Sequence, residues 1–359
     1  MHRAHNFSAG PSPLPLAVLE EVQQELLDYQ GMGASLLEVS HRSPQYTQVE
    51  HSLRERLRDL LGLPAGWHIL LLQGGASLQF YQVALNFLHG GRVAGYLNTG
   101  HWARGAMQEA ARVGAVYEVA SSEASAYDHL PAADTYRVDP GTSWIHFTSN
   151  NTIYGTQFAV EPDVDRSIPL VCDASSDFLG RPIDLGRYGL IYAGAQKNLG
   201  PSGVTIVLVH EDFLSQSALG LPTMLSYRTH VGTLFNTPPV FATWIVEKVL
   251  AHVQRNGGLA AQFERNQQKA RALYAEMDRT GFWRGTVRER DRSLMNVTFR
   301  APSPELDKLF VAASEQADII GLAGYRTVGG MRASLYNAVE LSSVRTLVEC
   351  MREFERTHG

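Results

Sequence analysis

Lysine is nearly absent from this 359-residue sequence: it occurs only at 197, 248, 269 and 308, and arginine supplies almost all of the positive charge. The formal net charge is −5. That excludes a generally basic nucleic-acid surface and leaves any anionic ligand to be caught by a local cluster of arginines. Cysteine is scarcer still. Cys172 and Cys350 have no CxxC spacing, so there is neither a disulfide framework nor a zinc signature, and no metal is expected. A reducing, cytoplasmic compartment fits. No apolar run approaches the roughly 18 residues of a membrane span, and no basic segment followed by an apolar one opens the chain. Repeats and low-complexity segments are absent. So are GxGxxG and any lysine behind a glycine turn, which counts against a nicotinamide-dependent oxidoreductase and a P-loop.

What is present is enough apolar residue for a packed core, at 44% against 19% charged. The length suggests two domains, or one large domain with a smaller appendage. Asn6 to Pro13 is rich in turn formers and reads as an extended arm. Helices are expected at about 15–29, with proline at the start, and at about 45–61, ending at Gly62. Short apolar runs then alternate with helical segments. His68–Leu72, Val93–Leu97, Val116–Val119, Trp144–Thr148, Leu170–Asp173, Leu190–Ala193 and Thr205–Val209 are strand candidates, and a helix is expected from Ser77 to Leu88. Continuous apolar runs that do not alternate suit a mostly parallel sheet covered by helices on both faces. After about 257 the pattern changes to long helices (about 258–279 and 303–317), strands near Met295–Phe299 and Met331–Leu335, and a last helix from Leu341. The chain therefore divides into a large α/β domain, 16–257, and a smaller α+β unit made of 258–359 with the arm, 1–15.

Lys197 lies in the turn Gly194-Ala195-Gln196-Lys197-Asn198-Leu199-Gly200, between two apolar strands. A solvated surface lysine is the bland alternative. Lys248, Lys269 and Lys308 fall in helical patterns, where an exposed charged face is expected, so Lys197 is the candidate nucleophile: a desolvated amine attacks an aldehyde, an exposed ammonium poorly. Asp173 ends a buried strand, where ligands of open α/β sheets gather. A carboxylate there either caps the next turn or holds a pyridinium nitrogen protonated. Gln73-Gly74-Gly75-Ala76-Ser77 leads from strand to helix and presents amides to a phosphate, or is a plain tight turn. Trp102 stacks on a flat ring or is simply core. Thr152 lies just past a strand, within reach of a phenolate oxygen. His41-Arg42 and the arginines 326 and 332 are cations near glycine-rich turns, fit for a carboxylate or phosphate or for plain surface.

With these pieces the sequence resembles the fold-type I, aspartate aminotransferase-like enzymes that use pyridoxal 5′-phosphate, in the class-V branch acting on phosphoserine. The likeness runs nearly end to end. It is carried by Asn6-Phe7-Ser8-Ala9-Gly10-Pro11, Glu38-Val39-Ser40-His41-Arg42, Gly74-Gly75-Ala76-Ser77, the run from Thr148 to Thr156, the run from Ala193 to Asn198, Asn236-Thr237-Pro238-Pro239 and the run from Gly329 to Ala338. The resemblance implies a large domain with a mostly parallel mixed sheet and a small α+β domain. It implies that Lys197 bonds the cofactor aldehyde and Asp173 pairs with the pyridine nitrogen, while Trp102 stacks on the ring and Thr152 bonds its phenolic oxygen. The phosphate would sit on Ala76, Ser77 and Gln196, completed by Asn236 and Thr237 of a second subunit in a homodimer. Arg332 would take the substrate α-carboxylate; His41, Arg42 and Arg326 would take the distal phosphate or the γ-carboxylate. The implied substrates are glutamate with 2-oxoglutarate and O-phosphoserine with 3-phosphohydroxypyruvate, with 4-phosphohydroxy-L-threonine as a further candidate. Two positions depart from the family pattern: Tyr325 stands where a histidine often precedes Arg326, and Ala9 replaces a serine, so a contact there is through backbone. A cysteine desulfurase would need an exposed, mobile cysteine, and a serine–glyoxylate-type enzyme would not need His41 and Arg42. A non-catalytic descendant would be expected to have lost Lys197.

Overall fold

The computed structural model describes residues 2–359. The arm contributes β1 (His5–Asn6) and runs into α1 (Leu16–Glu25). That helix stops earlier than its apolar pattern suggests: the chain is already extended at Asp28 (φ −140°, ψ 93°) and then passes through Gln30 at φ 53° in a short separate turn. Next comes α2 (Pro44–Leu61), opened by the Ser43 cap and closed by Gly62 in the left-handed region. In chain order there follow β2 (Trp67–Leu72), α3 (Gly75–Phe87), β3 (Val93–Asn98), α4 (His101–Ala110), β4 (Ala115–Ser121), β5 (Thr142–Thr148), β6 (Leu170–Asp173), β7 (Tyr188–Gly194) and β8 (Thr205–His210). These seven strands form one sheet in the order β2-β8-β7-β6-β5-β3-β4. Only β8 runs against its neighbours; the remaining contacts are parallel.

Both faces of the sheet are buried, which explains why its strands read as continuous apolar runs. Ile206 and Leu208 of β8, Ile191 and Ala193 of β7, and Leu170 and Cys172 of β6 join one core. The alternate residues Val207, Val209, Leu190, Tyr192 and Val171 join the core on the opposite face. Truncating one of the large aliphatic side chains here to alanine costs about 2–5 kcal/mol.

The chain continues through α5 (Glu211–Leu214), α6 (Val240–Arg255) and α7 (Gly258–Thr280). α6 is buried around most of its circumference, with Lys248, His252 and Arg255 along its polar side. Beyond α7 lie β9 (Arg284–Gly285), β10 (Asn296–Arg300), α8 (Pro304–Gln316), β11 (Ile319–Ile320), β12 (Met331–Ser334) and α9 (Leu341–His358). The order β12-β10-β9 makes a second, antiparallel sheet, and β1 pairs in parallel with β11, so the arm is tied to this C-terminal unit. A separate core gathers Phe7 of the arm with Trp283, Phe299, Phe310 and Phe354. Among the described residues no helix is long and apolar enough to cross a membrane.

Two lysines depart from the outer-face expectation. Lys248 of α6 is largely covered and paired with Glu25 (2.8 Å) and Glu21 (3.7 Å) of α1. Lys269 of α7 is 1% exposed. Its helix carries part of the C-terminal core on the same side, and a helical pattern does not tell a polar pocket from solvent. Lys308 is exposed, as expected.

Candidate active site

Five chain segments converge near the carboxyl ends of β5, β6 and β7. At the end of β6, Asp173 is buried, and its hydrogen bonds all fall on Oδ1, from the Ser175 amide (3.0 Å) and the Ser175 hydroxyl (2.6 Å). The turn-capping role is met on one oxygen of the carboxylate, and the other has no hydrogen bond from the protein. Burial pushes its pKa up, against the Ser175 bonds and the nearby Lys197 charge that hold it down.

Lys197 sits in the turn between β7 and β8. Its Nζ donates to Thr152 Oγ1 at 2.6 Å. Burial lowers the amine to about 8, with Asp173 opposing the shift and Arg332 adding to it. An amine at that value is about one-tenth neutral at pH 7, against well under one-thousandth for an ordinary lysine. The neutral form is the nucleophile. Over this turn lies the arm. Ser12 donates its amide to Gln196 O at 2.9 Å and its hydroxyl to Lys197 O. Gly10, at φ +142°, passes so close that a Cβ there would stand 3.5 Å from Lys197 Cγ.

The Gly74–Gly75 turn opens α3. Gly74 adopts φ +93°, and a Cβ there would fall 2.5 Å from Leu78 Cδ2, so the turn admits no side chain. Leu78 donates back to Gly74 O (3.3 Å), leaving the amides of Gly75, Ala76 and Ser77 as the free, positive end of the helix. One cavity of about 130 Å³ is lined by Ala76, Ser77, Trp102, Thr152, Asp173, Gln196 and Lys197. The indole Nε1 of Trp102 is buried without a hydrogen-bond partner.

Other expected residues lie elsewhere. Arg332 of β12 reaches in from the C-terminal unit, donating to Thr152 O at 3.0 Å; its Nε is buried and unpartnered. Burial lowers its pKa. His41 and Arg42 bond each other (2.9 Å) and line a different cavity. Asn236 donates to Gln73 of its own chain (2.7 Å), and neither it nor Thr237 lines the Lys197 cavity. Arg326 is exposed on the loop before β12. Tyr325, beside it, lies 5.9 Å from the His101 ring, which packs edge-on against Trp102. Ala9 makes its contact through backbone, accepting from Tyr336 Oη at 2.9 Å.

Sequence reasoning passed over Ser175, which orients Asp173, and Ser176 and Asn150, which share the cavity wall. Asp-Ala-Ser directly after an apolar strand is an Asx-turn signature and would have found the first. Asp177 was also missed. It is buried, accepts from Ser149 and from Gln157 (3.0 Å), and faces Arg181.

The donor set fits a flat, phosphorylated aromatic aldehyde. The free helix amides could take a phosphate, and the same cavity wall holds an unpaired indole, a buried carboxylate and a part-neutral amine that could serve the ring and the aldehyde.

The family model for class-V aminotransferases matches residues 4–347. The chain is 49% identical to the phosphoserine aminotransferase of Geobacillus kaustophilus over 99% of each chain, and 46% identical to that of Azotobacter vinelandii, again over 99% of each. Among solved structures it is similar to phosphoserine aminotransferase from Bacillus circulans subsp. alkalophilus, with a TM-score of 0.97, 49% identity and 99% of both chains covered. It is also similar to the PLP-bound enzyme from Trichomonas vaginalis, with a TM-score of 0.93, 35% identity, and 98% and 100% covered.

Proposed function

The chain belongs to the class-V aminotransferases, and on that premise we propose that it carries out the phosphoserine aminotransferase reaction with the residues gathered around Lys197. The reaction moves an amino group reversibly between glutamate and 3-phosphohydroxypyruvate, giving 2-oxoglutarate and O-phosphoserine, as in serine biosynthesis. The cofactor is pyridoxal 5′-phosphate, which supplies an aldehyde to receive the amino group and a cationic ring that draws electron density from the substrate α-carbon. One observation carries the reading: the Lys197 amine is desolvated and held on Thr152 in a cavity that also exposes Asp173.

Each residue then has a physical task. Lys197 would hold the cofactor through its amine and, with that amine free, would take the substrate α-proton and return it, as general base and then acid. Thr152 holds that amine and supports the ring's phenolic oxygen. Asp173 keeps the pyridine nitrogen protonated, and Ser175 fixes the carboxylate for that purpose. Ala76, Ser77 and Gln196 take the cofactor phosphate, and Trp102 covers the ring. Arg332 takes the α-carboxylate with a half-buried guanidinium whose Nε has no partner of its own.

Both substrate pairs carry a second anion, and Lys197 is the one cationic side chain in the cavity wall. The distal phosphate or carboxylate therefore needs cations from outside it. Arg326 comes from the adjoining loop, and His41 and Arg42 come from a partner subunit, with Asn236 and Thr237 of that subunit completing the cofactor phosphate site. The reading includes a cytoplasmic homodimer with shared sites: the resemblance supports the dimer, and the two free cysteines support the compartment. Because an arginine fork accepts carboxylate and phosphate alike, one pocket serves both pairs.

The cofactor-loaded protein tests this reading directly. Its visible absorption band is expected to collapse on adding O-phosphoserine or glutamate and hardly to change with alanine. A strong response to alanine with none to O-phosphoserine overturns the substrate assignment.

A further inference from the structure

Lys269 has no part in the chemistry above, yet it is a cation placed where cations are disfavoured. It is 1% exposed and, among the described residues, no carboxylate forms an ion pair with it. Its Nζ donates instead to two successive carbonyls, Leu335 O (2.8 Å) and Tyr336 O (2.7 Å). Burial lowers the amine to about 7; Glu340 opposes that shift and Arg265 adds to it. An apolar side chain of similar length would fill this site without the desolvation penalty. What lysine adds is two directed bonds to one turn.

That turn, Leu335–Asn337, directly follows β12 and sits between the two halves of the site. On one side, Tyr336 is fully buried with its hydroxyl on Ala9 O (2.9 Å) and Asn296 Nδ2 (3.3 Å), and its ring oxygen lies near Thr152 and Arg332. On the other, Asn337 donates its amide to the side chain of Asn198, the neighbour of Lys197, at 3.0 Å. The Asn337 side chain donates to Leu179 O (3.0 Å), in the turn that follows Asp173, and accepts from Asn266 (2.9 Å) of α7. α7 thus grips the turn through three residues: Lys269, Asn266, and Gln262, whose side chain donates to Asn337 O at 3.4 Å. The turn in turn ties the strand bearing Arg332 to the segments bearing Lys197 and Asp173.

We propose that Lys269 is a positioning residue for the α-carboxylate subsite: it fixes the Leu335–Asn337 turn so that Arg332 is held at the distance from Lys197 that an α-amino acid requires. This rests on the reading in which Arg332 takes the α-carboxylate.

The test compares O-phosphoserine with O-phosphoethanolamine, the same molecule without its α-carboxylate, in the loaded enzyme. K269M keeps the linear stem and removes both donors. It is expected to lower kcat/KM for O-phosphoserine by about tenfold to a hundredfold, chiefly through KM, because misplacement of a substrate anchor has effects of that size. The same value for O-phosphoethanolamine should stay within about twofold, since that ligand does not use the anchor. Calorimetry gives a readout apart from turnover: glutarate, which cannot react, should bind about tenfold more weakly to K269M. K269Q, which reaches at most one carbonyl with its amide, should fall between, and if K269M does not fold it is read by the same contrast. Equal losses for both phosphate compounds, or no loss for O-phosphoserine, overturn the proposal while leaving the functional reading intact. A wild-type enzyme inert to O-phosphoserine sinks both.

Discussion

Replacing Lys197 by alanine lowers amino transfer from O-phosphoserine by about 10³-fold or more, because one amine serves as cofactor anchor, general base and general acid. No other lysine can take over. Lys248 is engaged by Glu21 and Glu25, Lys308 is exposed on the outside of α8, and Lys269 is turned onto carbonyls behind β12. The fold should tolerate the change, since truncation removes a desolvated amine whose side-chain hydrogen bond is to Thr152 alone. Stopped-flow measurement of the first half-reaction reports the effect. A variant within tenfold of wild type would remove Lys197 from the chemistry.

Asp173→Asn gives the second large effect, a fall of about 10²–10³-fold, the range seen when one preorganised electrostatic group is lost from a water-poor site. Asparagine keeps an oxygen for the Ser175 amide and hydroxyl, so the loop geometry survives while the negative charge under the ring nitrogen goes. The apo protein should melt no lower than wild type, because the variant relieves a buried carboxylate. Slow turnover with undiminished stability is the signature expected from single-turnover rates and thermal melts taken together. Turnover within about threefold of wild type would mean the ring does not need that charge.

The two residues carrying these predictions were legible in the sequence for a concrete reason. Both lie at the ends of fully buried strands, β6 and β7, whose apolar runs end sharply at the polar residues that chemistry needs. The strands themselves were readable because both faces are covered, and α2 because Ser43, Pro44 and Gly62 mark its ends. α6 was not singled out, although Lys248, His252 and Arg255 recur along one side at helical spacing. Lys269 was misplaced because helical periodicity says which residues share a face, not whether that face meets water or a pair of carbonyls. His41, Arg42, Asn236 and Thr237 remain outside the cavity of their own chain. Asn236 and Thr237 were suggested by resemblance alone, whereas His41 and Arg42 also stood out as cations beside a glycine-rich stretch; the partner-subunit role proposed for all four would leave no mark in a local pattern. Ser175 was overlooked although it lies two residues from Asp173, because a serine in a turn is commonplace until its hydroxyl is seen on a buried carboxylate.

The central claim is that cofactor and chain are joined at Lys197. Treating the loaded enzyme with borohydride reduces the carbon–nitrogen link to a stable bond, and peptide mapping by mass spectrometry then locates it. The adduct is expected on the peptide containing Lys197 and on no other, including the one with Lys269, whose amine is lowered to about 7 but faces carbonyls. An adduct on Lys269, or a loaded enzyme that carries none after reduction, would contradict the account at its base.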